Sequence, residues 1–361
     1  MRIAHIRSYT LDLGNKRPYT IAFKTVDEVK NAFVEIELEN GMIGIGNGNP
    51  SQQVVGESFE SCMEALHEEN ISFLIGQDIR RLEYLLREVQ SRFPHNPGAR
   101  CALDVALHDA FTQFLEMPLV KFWGQQQDGL LTSVTIGIKE VEETLQDAAE
   151  FHELGFRILK IKTGLNPEED AERVMKVNER FPEMVIRVDA NQGYQPNDLK
   201  LFWKKVQGVE LDMIEQPFPV QDFVEQVGKL DEGLQYLIAA DESLVSPKDA
   251  FSLGHQLPWL GIFNIKLMKT GGIYPALQIA RSALLTGHRL MWGCNDESAA
   301  SITAALHAAY AFPHTEYLDL DGSLDVVIDA VAGGFELREG RMYLTGEPGL
   351  GVKRVKQQNE G

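Results

Sequence analysis

The chain has 361 residues, 44% of them apolar, and carries a formal charge of −19 from 34 basic and 53 acidic side chains. Its length accommodates a barrel of about 250 residues together with a smaller domain. The acids are spread along the whole chain, and the field they create repels nucleic acid and anionic membranes, so neither is an expected partner.

Residues 3–12, 31–39 and 42–46 carry strand patterns, and Glu39-Asn40-Gly41 between the last two is a hairpin signal. Helical periodicity follows over 57–74, 79–91 and 98–116. These elements describe an α+β domain that ends near Gly124-Gln125-Gln126, where polar residues interrupt the apolar pattern. Within it, Gly44-Ile45-Gly46-Asn47-Gly48 has the glycine content of a nucleotide-binding loop but neither its full spacing nor a helix directly after it. It reads instead as a mobile lid segment.

A regular alternation begins at residue 125. Short apolar runs stand at 132–138, 157–162, 184–189, 211–215, 237–241, 261–266, 289–293 and 317–321. The segments between them mostly carry helical periodicity. Ile273, Ala276, Leu277, Ala280, Ala283 and Leu284 follow the helical spacing, and Gly287 supplies the stop. Such alternation builds a parallel α/β sheet; eight strands favour closure into a barrel, with an open doubly wound sheet as the alternative. The tail, 323–361, contains a further hairpin pattern with Glu339-Gly340 at its turn and fits no additional strand–helix unit. Three scattered cysteines, Cys62, Cys101 and Cys294, have no disulfide or zinc spacing, and no apolar leader opens the chain. A reducing cytoplasm is the expected location, and a homo-oligomer is compatible with this composition. Cys294 has no histidine paired with it in the pattern and reads as packing or site wall.

Charged residues recur at one position in the alternation, the C-terminal end of the strand. Lys162, Asp189, Glu215, Asp241 and Lys266 follow one another at intervals of 27, 26, 26 and 25 residues, one strand–helix unit per step. In a β/α barrel those ends converge on one mouth, so sequence spacing becomes a spatial cluster. The period of two puts Lys160 beside Lys162, Asn191 beside Asp189, and Asp321 beside Asp319. A single acid at a strand end is often the N-cap of the next helix, and a lone Lys-Ile-Lys is often solvated rim. Neither accounts for acids on three consecutive strands flanked by lysines on both sides.

Three carboxylates in one mouth repel one another without a cation. Hard oxygen donors suit Mg²⁺, and the lack of nearby His or Cys disfavours zinc. Such an ion would polarise a substrate carboxylate and stabilise the enediolate left when the α-proton departs. Lysines placed on either face of that carbon would racemise or epimerise it, provided their pKa values fall well below the usual ~10.4.

These motifs together resemble the enolase superfamily, and within it the muconate-lactonizing subgroup. The matching pieces are LKIKTG with Lys160 and Lys162, RVDANQGY with Asp189 and Asn191, IEQPFP with Glu215, AADESL with Asp241 and Glu242, and NIKLMKTGGI with Lys266. The resemblance implies a modified (β/α)7β barrel over 125–322, an α+β capping domain over 1–124 and a tail, 323–361, that returns to the cap. It implies Asp189, Glu215 and Asp241 as ligands of one Mg²⁺, and Lys162 and Lys266 as the opposed acid/base pair. Lys160 would assist electrostatically, with Asn191 and Glu242 in support. LDLDG at 318–322 and the GCNDESAASITAALHAA stretch are similar to dipeptide epimerases, in which an Asp-x-Asp pair binds the substrate's free ammonium; Asp319 and Asp321 match it.

The expectation is therefore an epimerase acting on the C-terminal residue of an L-dipeptide, with a role in cell-wall peptide metabolism. Other reactions of the subgroup are the alternatives: N-acylamino acid racemisation, o-succinylbenzoate synthesis or muconate cycloisomerisation. A non-catalytic metal- or peptide-binding protein on the same scaffold is a further one. The capping loops near 16–28 and 47–57 would recognise the side chain. There Lys24 favours an acidic residue, Asn47 departs from a common glutamate, and on the barrel side Asp296 favours a cationic one. The dipeptide is left open between them.

Overall fold

The computed structural model describes residues 1–16 and 28–355 in full, and between them the backbone of 19–21 and 24–26. Strand β1 (Ile3–Asp12) is followed by the short pair β2 (Tyr19–Ile21) and β3 (Lys24–Val26), then by β4 (Lys30–Leu38) and β5 (Ile43–Gly48). β1, β4 and β5 form an antiparallel sheet in that order. The expected hairpin turn is present, with Gly41 at φ +83°. The helical run 57–74 is broken into Phe59–Ala65, Glu68–Ile71 and a 3-10 turn, because His67 takes an extended ψ of 140° between them.

The Gly44–Gly48 segment is no lid. Its three glycines alternate along β5 and face the helix Pro97–Phe114, where Gly98, Ala102, Ala106 and Ala110 recur every fourth residue. A Cβ on Gly46 would stand 2.2 Å from the Ala102 carbonyl oxygen, and one on Gly44 2.3 Å from that of Ala106. The period of two on the strand meets the period of four on the helix, and two backbones touch without side chains between them. The glycines serve packing.

Eight strands make the second sheet: β6 (Val134–Ile136), β7 (Ile158–Lys162), β8 (Val185–Asp189), β9 (Leu211–Glu215), β10 (Ile238–Ala240), β11 (Ile262–Ile265), β12 (Arg289–Gly293) and β13 (Thr315–Asp319). Every neighbouring pair is parallel. A parallel bridge between Thr132 and Leu318, with Ser133 N–H donating to the Leu318 carbonyl at 3.0 Å, joins the last strand to the first. The sheet is thus a closed barrel, and each apolar run of the alternation contributes one strand.

Outward-facing Leu159, Ile161, Val188, Ile214, Phe263 and Ile265 pack under the surrounding helices. Inside, Met213, Ala239, Ile262, Met291 and Tyr317 fill one end, with the Arg187 guanidinium 4.8 Å from the Tyr317 ring centre. Charged side chains are left for the other end.

The N-terminal sheet and its helix sit over that charged end, by way of helix N-termini. Asp104, in the helix Pro97–Phe114, accepts the Ile273 and Tyr274 N–H groups at 2.8 and 3.2 Å, where the helix Ile273–Thr286 begins. Asn47 accepts the Ser301 N–H at 2.9 Å and Asn31 that of Ser298 at 3.3 Å, at the start of Ala299–Tyr310. These groups satisfy donors that a helix cannot satisfy internally. The tail forms β14 (Val331–Gly333), the hairpin β15 (Phe335–Arg338) with β16 (Arg341–Leu344), and β17 (Val352–Arg354), which pairs with β14. Leu350 N–H donates to Asp109 at 2.8 Å, and Arg354 pairs with Glu35 at 3.0 Å. Among the described residues, no helix is long and apolar enough to cross a membrane.

Because the Gly46 contact is backbone to backbone, no side-chain rotation relieves an added methyl. Gly46→Ala is expected to lower stability by about 3 kcal/mol, read as a fall in the urea midpoint at constant slope. A midpoint equal to wild type would show that β5 can move off the helix.

Candidate active site

The strand ends bring the chemistry together. Lys160 and Lys162 end β7, Asp189 ends β8 and Glu215 ends β9, with Lys162 level with Asp189 and Asp189 level with Glu215 in the sheet register. Asp241 directly follows β10, Lys266 directly follows β11, and Asp319 ends β13. None of the acids serves as a helix cap: the helices after β8 and β10 are capped by Gln195 and Ser246. Lys162 and Lys266 lie on β7 and β11, four steps apart among eight strands, and so face each other across the mouth.

A cavity of about 310 Å³ opens there. Its walls include Lys160, Lys162, Asn191, Asp241, Glu242, Lys266, Asp296, Asp319 and Asp321. Asp189 and Glu215 lie just beneath the surface of the cavity, fully buried. Cys294 is part of the wall, with its sulfur 3.2 Å from the Asp319 carbonyl oxygen. The capping side contributes Glu28, Lys30, Asn49 and Ser51. Residues 17–27, with the Lys24 side chain, lie outside the described residues, apart from the backbone of β2 and β3.

Opposite charges alternate through the cluster. Lys162 Nζ is 2.7 Å from Asp189 Oδ2 and 3.1 Å from Asn191 Oδ1. Lys160 Nζ lies 2.7 Å from Asp319 Oδ2, 2.9 Å from Glu215 Oε2 and 3.1 Å from Asp189 Oδ2. Lys266 Nζ donates to Asp241 Oδ2 at 2.8 Å. Asn191 Nδ2 reaches Glu242 Oε1 at 3.4 Å.

Burial opposes the charge on Lys160, yet Asp319, Glu215 and Asp189 outweigh it and hold its pKa well above the ordinary lysine value. Lys266 is likewise raised, against the cost of burial, by Asp241 and Glu215. For these two lysines the protein's own groups therefore act opposite to the depression expected from the sequence, because three carboxylates outnumber the repelling ammonium nearby. Glu215 is pushed up to about 8 by burial and by the charge of Asp189. Asp189, for which burial works the other way, is pulled down to about 2 by Lys162 and Lys160.

The donor set suits a hard cation. Three carboxylates stand on consecutive strands, and Glu215 Oε2 is buried without a well-directed hydrogen bond, although Lys160 is 2.9 Å away. As the side chains stand, no group of three acids, histidines or cysteines among the described residues is arranged to hold an ion. The physical reason is the pairing above: each centre-facing oxygen is turned toward an ammonium.

Asp319 and Asp321 are held apart from this set. Asp319 accepts the Ser133 hydroxyl at 2.6 Å, and Asp321 accepts the Thr135 N–H at 2.8 Å, so residues flanking and within β6 orient both. Burial and the neighbouring Asp319 push Asp321 up to about 7. Sequence reasoning passed over Ser133 and Thr135, and also Asn264 and Lys269, which bond to Glu215 and Asp241 from behind. A signal existed for Asn264, two residues before Lys266 and on the same strand face. Lys269 lies one helical turn beyond Lys266, in a segment read only for its first lysine.

Comparison with known proteins identifies the family. Residues 5–124 match the "Mandelate racemase / muconate lactonizing enzyme, N-terminal domain" model, and residues 143–357 match "Enolase C-terminal domain-like". An L-Lys-D/L-Arg epimerase of Desulforapulum autotrophicum is 48% identical over 98% of this chain and 100% of its own. An L-Ala-D/L-Glu epimerase of Clostridium acetobutylicum is 33% identical over 96% of this chain and 97% of its own. The crystal structure of a Methylococcus capsulatus dipeptide epimerase complexed with Mg and the dipeptide L-Arg-D-Lys superposes with a TM-score of 0.95 at 48% identity, covering 98% of this chain and 99% of that one. With two family models spanning most of its length and such relatives, the chain belongs to the enolase superfamily, in the mandelate racemase/muconate lactonizing enzyme family.

Proposed function

We propose that this protein is a Mg²⁺-dependent dipeptide epimerase that inverts the α-carbon of the C-terminal residue of cationic dipeptides. The observation that carries the reading is the position of Lys162 and Lys266 on opposite sides of one mouth, with three buried carboxylates on the strands between them. The relatives named above are an L-Lys-D/L-Arg epimerase and an L-Ala-D/L-Glu epimerase.

In this reading residues 1–124 cap the mouth, 125–322 carry the chemistry, and 323–361 tie the two together. Asp189, Glu215 and Asp241 hold the metal. Bound Mg²⁺ would polarise the substrate carboxylate and offset the negative charge that keeps Lys266 protonated. The neutral lysine of the pair takes the α-proton on one face, and the protonated one delivers a proton on the other. Lys160, between Asp189, Glu215 and Asp319, supplies a fixed positive charge near the substrate carboxylate. Asp319 and Asp321 receive the substrate's ammonium group, which fixes the distance from the amino end to the reacting carbon. Free Cys62, Cys101 and Cys294 are consistent with a cytoplasmic location.

The preference for a cationic dipeptide is supported by Asp296 and Asp325 in the cavity wall, where Glu28 is paired with Lys30 at 2.7 Å. It is supported also by what the relatives' names state of them, L-Lys-D/L-Arg in one and bound L-Arg-D-Lys in another. The opposing indication, Lys24, has its side chain outside the described residues.

Incubation of L-Arg-L-Lys in D₂O is expected to place deuterium at the α-carbon of the C-terminal residue alone and to yield the L,D diastereomer. Turnover of arginine- and lysine-containing dipeptides is expected to exceed that of L-Ala-L-Glu by tenfold or more in kcat/KM; the reverse order would give the decision to Lys24. EDTA is expected to abolish exchange and added Mg²⁺ to restore it, and full exchange in chelator would remove the metal from the mechanism.

The position of Asp321 gives a pH signature. Its carboxyl, pushed up to about 7, is charged and attracts an ammonium above that pH and is neutral below it. KM for a dipeptide should therefore rise as pH falls below 7 in the wild type. Asp321→Asn should raise KM by roughly tenfold at neutral pH, the loss of one charged hydrogen bond, and show no such acid dependence. A variant that keeps the wild-type acid limb would place the ammonium elsewhere.

A further inference from the structure

Each of the three strand-end carboxylates has one oxygen engaged from behind and the other turned toward the centre. Asp189 Oδ1 accepts the Asn191 backbone N–H at 2.9 Å, while Oδ2 faces Lys162 and Lys160 at 2.7 and 3.1 Å. Glu215 Oε1 accepts Asn264 Nδ2 at 2.7 Å, with Lys266 further off at 3.9 Å, while Oε2 faces Lys160 at 2.9 Å. Asp241 Oδ1 accepts Lys269 Nζ, while Oδ2 faces Lys266 at 2.8 Å.

Lys269 is the unexpected member. It is 4% exposed and is absent from the wall of the main cavity, lining instead a small pocket of about 20 Å³ with Asp241 and Lys266. A lysine ammonium has three N–H donors and no acceptor. Here it meets three oxygens: Asp241 Oδ1, the Asp241 carbonyl at 2.5 Å and the Asn264 carbonyl at 3.1 Å. The ammonium thereby clamps the Asp241 side chain to its own backbone and to β11. Asn264 in turn holds Glu215, so the two residues form one buttress behind two neighbouring acids. Asn264 and Lys269 are both buried, at 0% and 4% exposure.

We propose that Asn264 and Lys269 are positioning residues that restrict Glu215 and Asp241 to one donor oxygen each, and so select Mg²⁺ against Ca²⁺. The proposal rests on the reading of Asp189, Glu215 and Asp241 as the metal acids. Ca²⁺ takes six to eight oxygens and commonly gathers them through bidentate carboxylates, whereas Mg²⁺ keeps to an octahedron and retains water and substrate oxygens. Three acids limited to one oxygen each meet the second demand and starve the first. Releasing Glu215 Oε1 or Asp241 Oδ1 restores a bidentate option. Loss of the Lys269 charge would strengthen the attraction for either divalent ion, so the diagnostic quantity is the ratio of the two affinities.

The test is calorimetric titration of the chelator-stripped, full-length protein with MgCl₂ and with CaCl₂, without substrate. The wild type is expected to bind Mg²⁺ at least tenfold more tightly than Ca²⁺. Lys269→Met and Asn264→Ala are each expected to shift that ratio about tenfold toward Ca²⁺, the lower end of what outer-shell partners contribute to metal affinity. Near-UV circular dichroism establishes that each variant is folded. If Lys269→Met does not fold, Asn264→Ala and the wild-type ratio decide. Intact Mg²⁺ binding with an unchanged ratio in the folded variants, or a wild type that binds both ions equally, overturns this proposal alone. Failure of the wild type to bind either ion overturns it together with the metal reading on which it rests, and inactivity toward dipeptides with metal binding intact would touch only the substrate assignment.

Discussion

Negative charge cannot be concentrated in a dry barrel mouth without positive charge beside it. Asp189, Glu215 and Asp241 are at most 2% exposed, and the surrounding lysines are within hydrogen-bonding distance of them. Each ionised group would be costly to bury alone; together they form an alternating array in which removal of one member strands the others. The rest of the molecule can be understood as the scaffold for that array. Closure of the eight-stranded sheet brings strands β7 to β11 around half a circle, and apolar packing of the outward faces keeps their ends level.

The cap is attached at the points where it can govern access. Asp104, Asn31 and Asn47 engage the N-termini of barrel helices that start beside the mouth. The last of these helices follows directly on the loop that carries Asp296. The cap is thus hydrogen-bonded to the segment that directly follows this loop. The tight packing of β5 on the helix Pro97–Phe114 fixes the cap at its base.

Two kinds of lysine share the site. Lys160, Lys162 and Lys266 face the cavity, where a substrate can meet them; Lys269 is absent from its wall and is committed to oxygens of the protein itself. The distinction has a chemical consequence. A base must be able to lose its proton, and the carboxylates beside Lys160 and Lys266 oppose that loss. The carboxylates at the mouth therefore hold Lys160 and Lys266 protonated, and a cation bound among them would offset that effect.

Much of this was readable in the chain. Strand–helix alternation, the charged residue at each strand end and the step of one unit between them led to the barrel and to a cluster of acids and lysines at its mouth, because a repeated local pattern on a closed sheet has only one place to converge. The family resemblance added the Asp319 and Asp321 pair. Other features had no local signature. The glycines of β5 gave the pattern of a loop, and only the helix laid against them shows that they serve close packing. Whether the sheet closed depended on a contact between Thr132 and Leu318, far apart in sequence. The sign of the charge effect on Lys160 and Lys266, and the buttress of Asn264 and Lys269, depended on distances between side chains from different strands. The sequence by itself determined which chemical groups reach the mouth, since their spacing follows from the repeat. Tertiary structure decided which partner each oxygen of each acid meets, since that choice is made by groups the repeat does not specify.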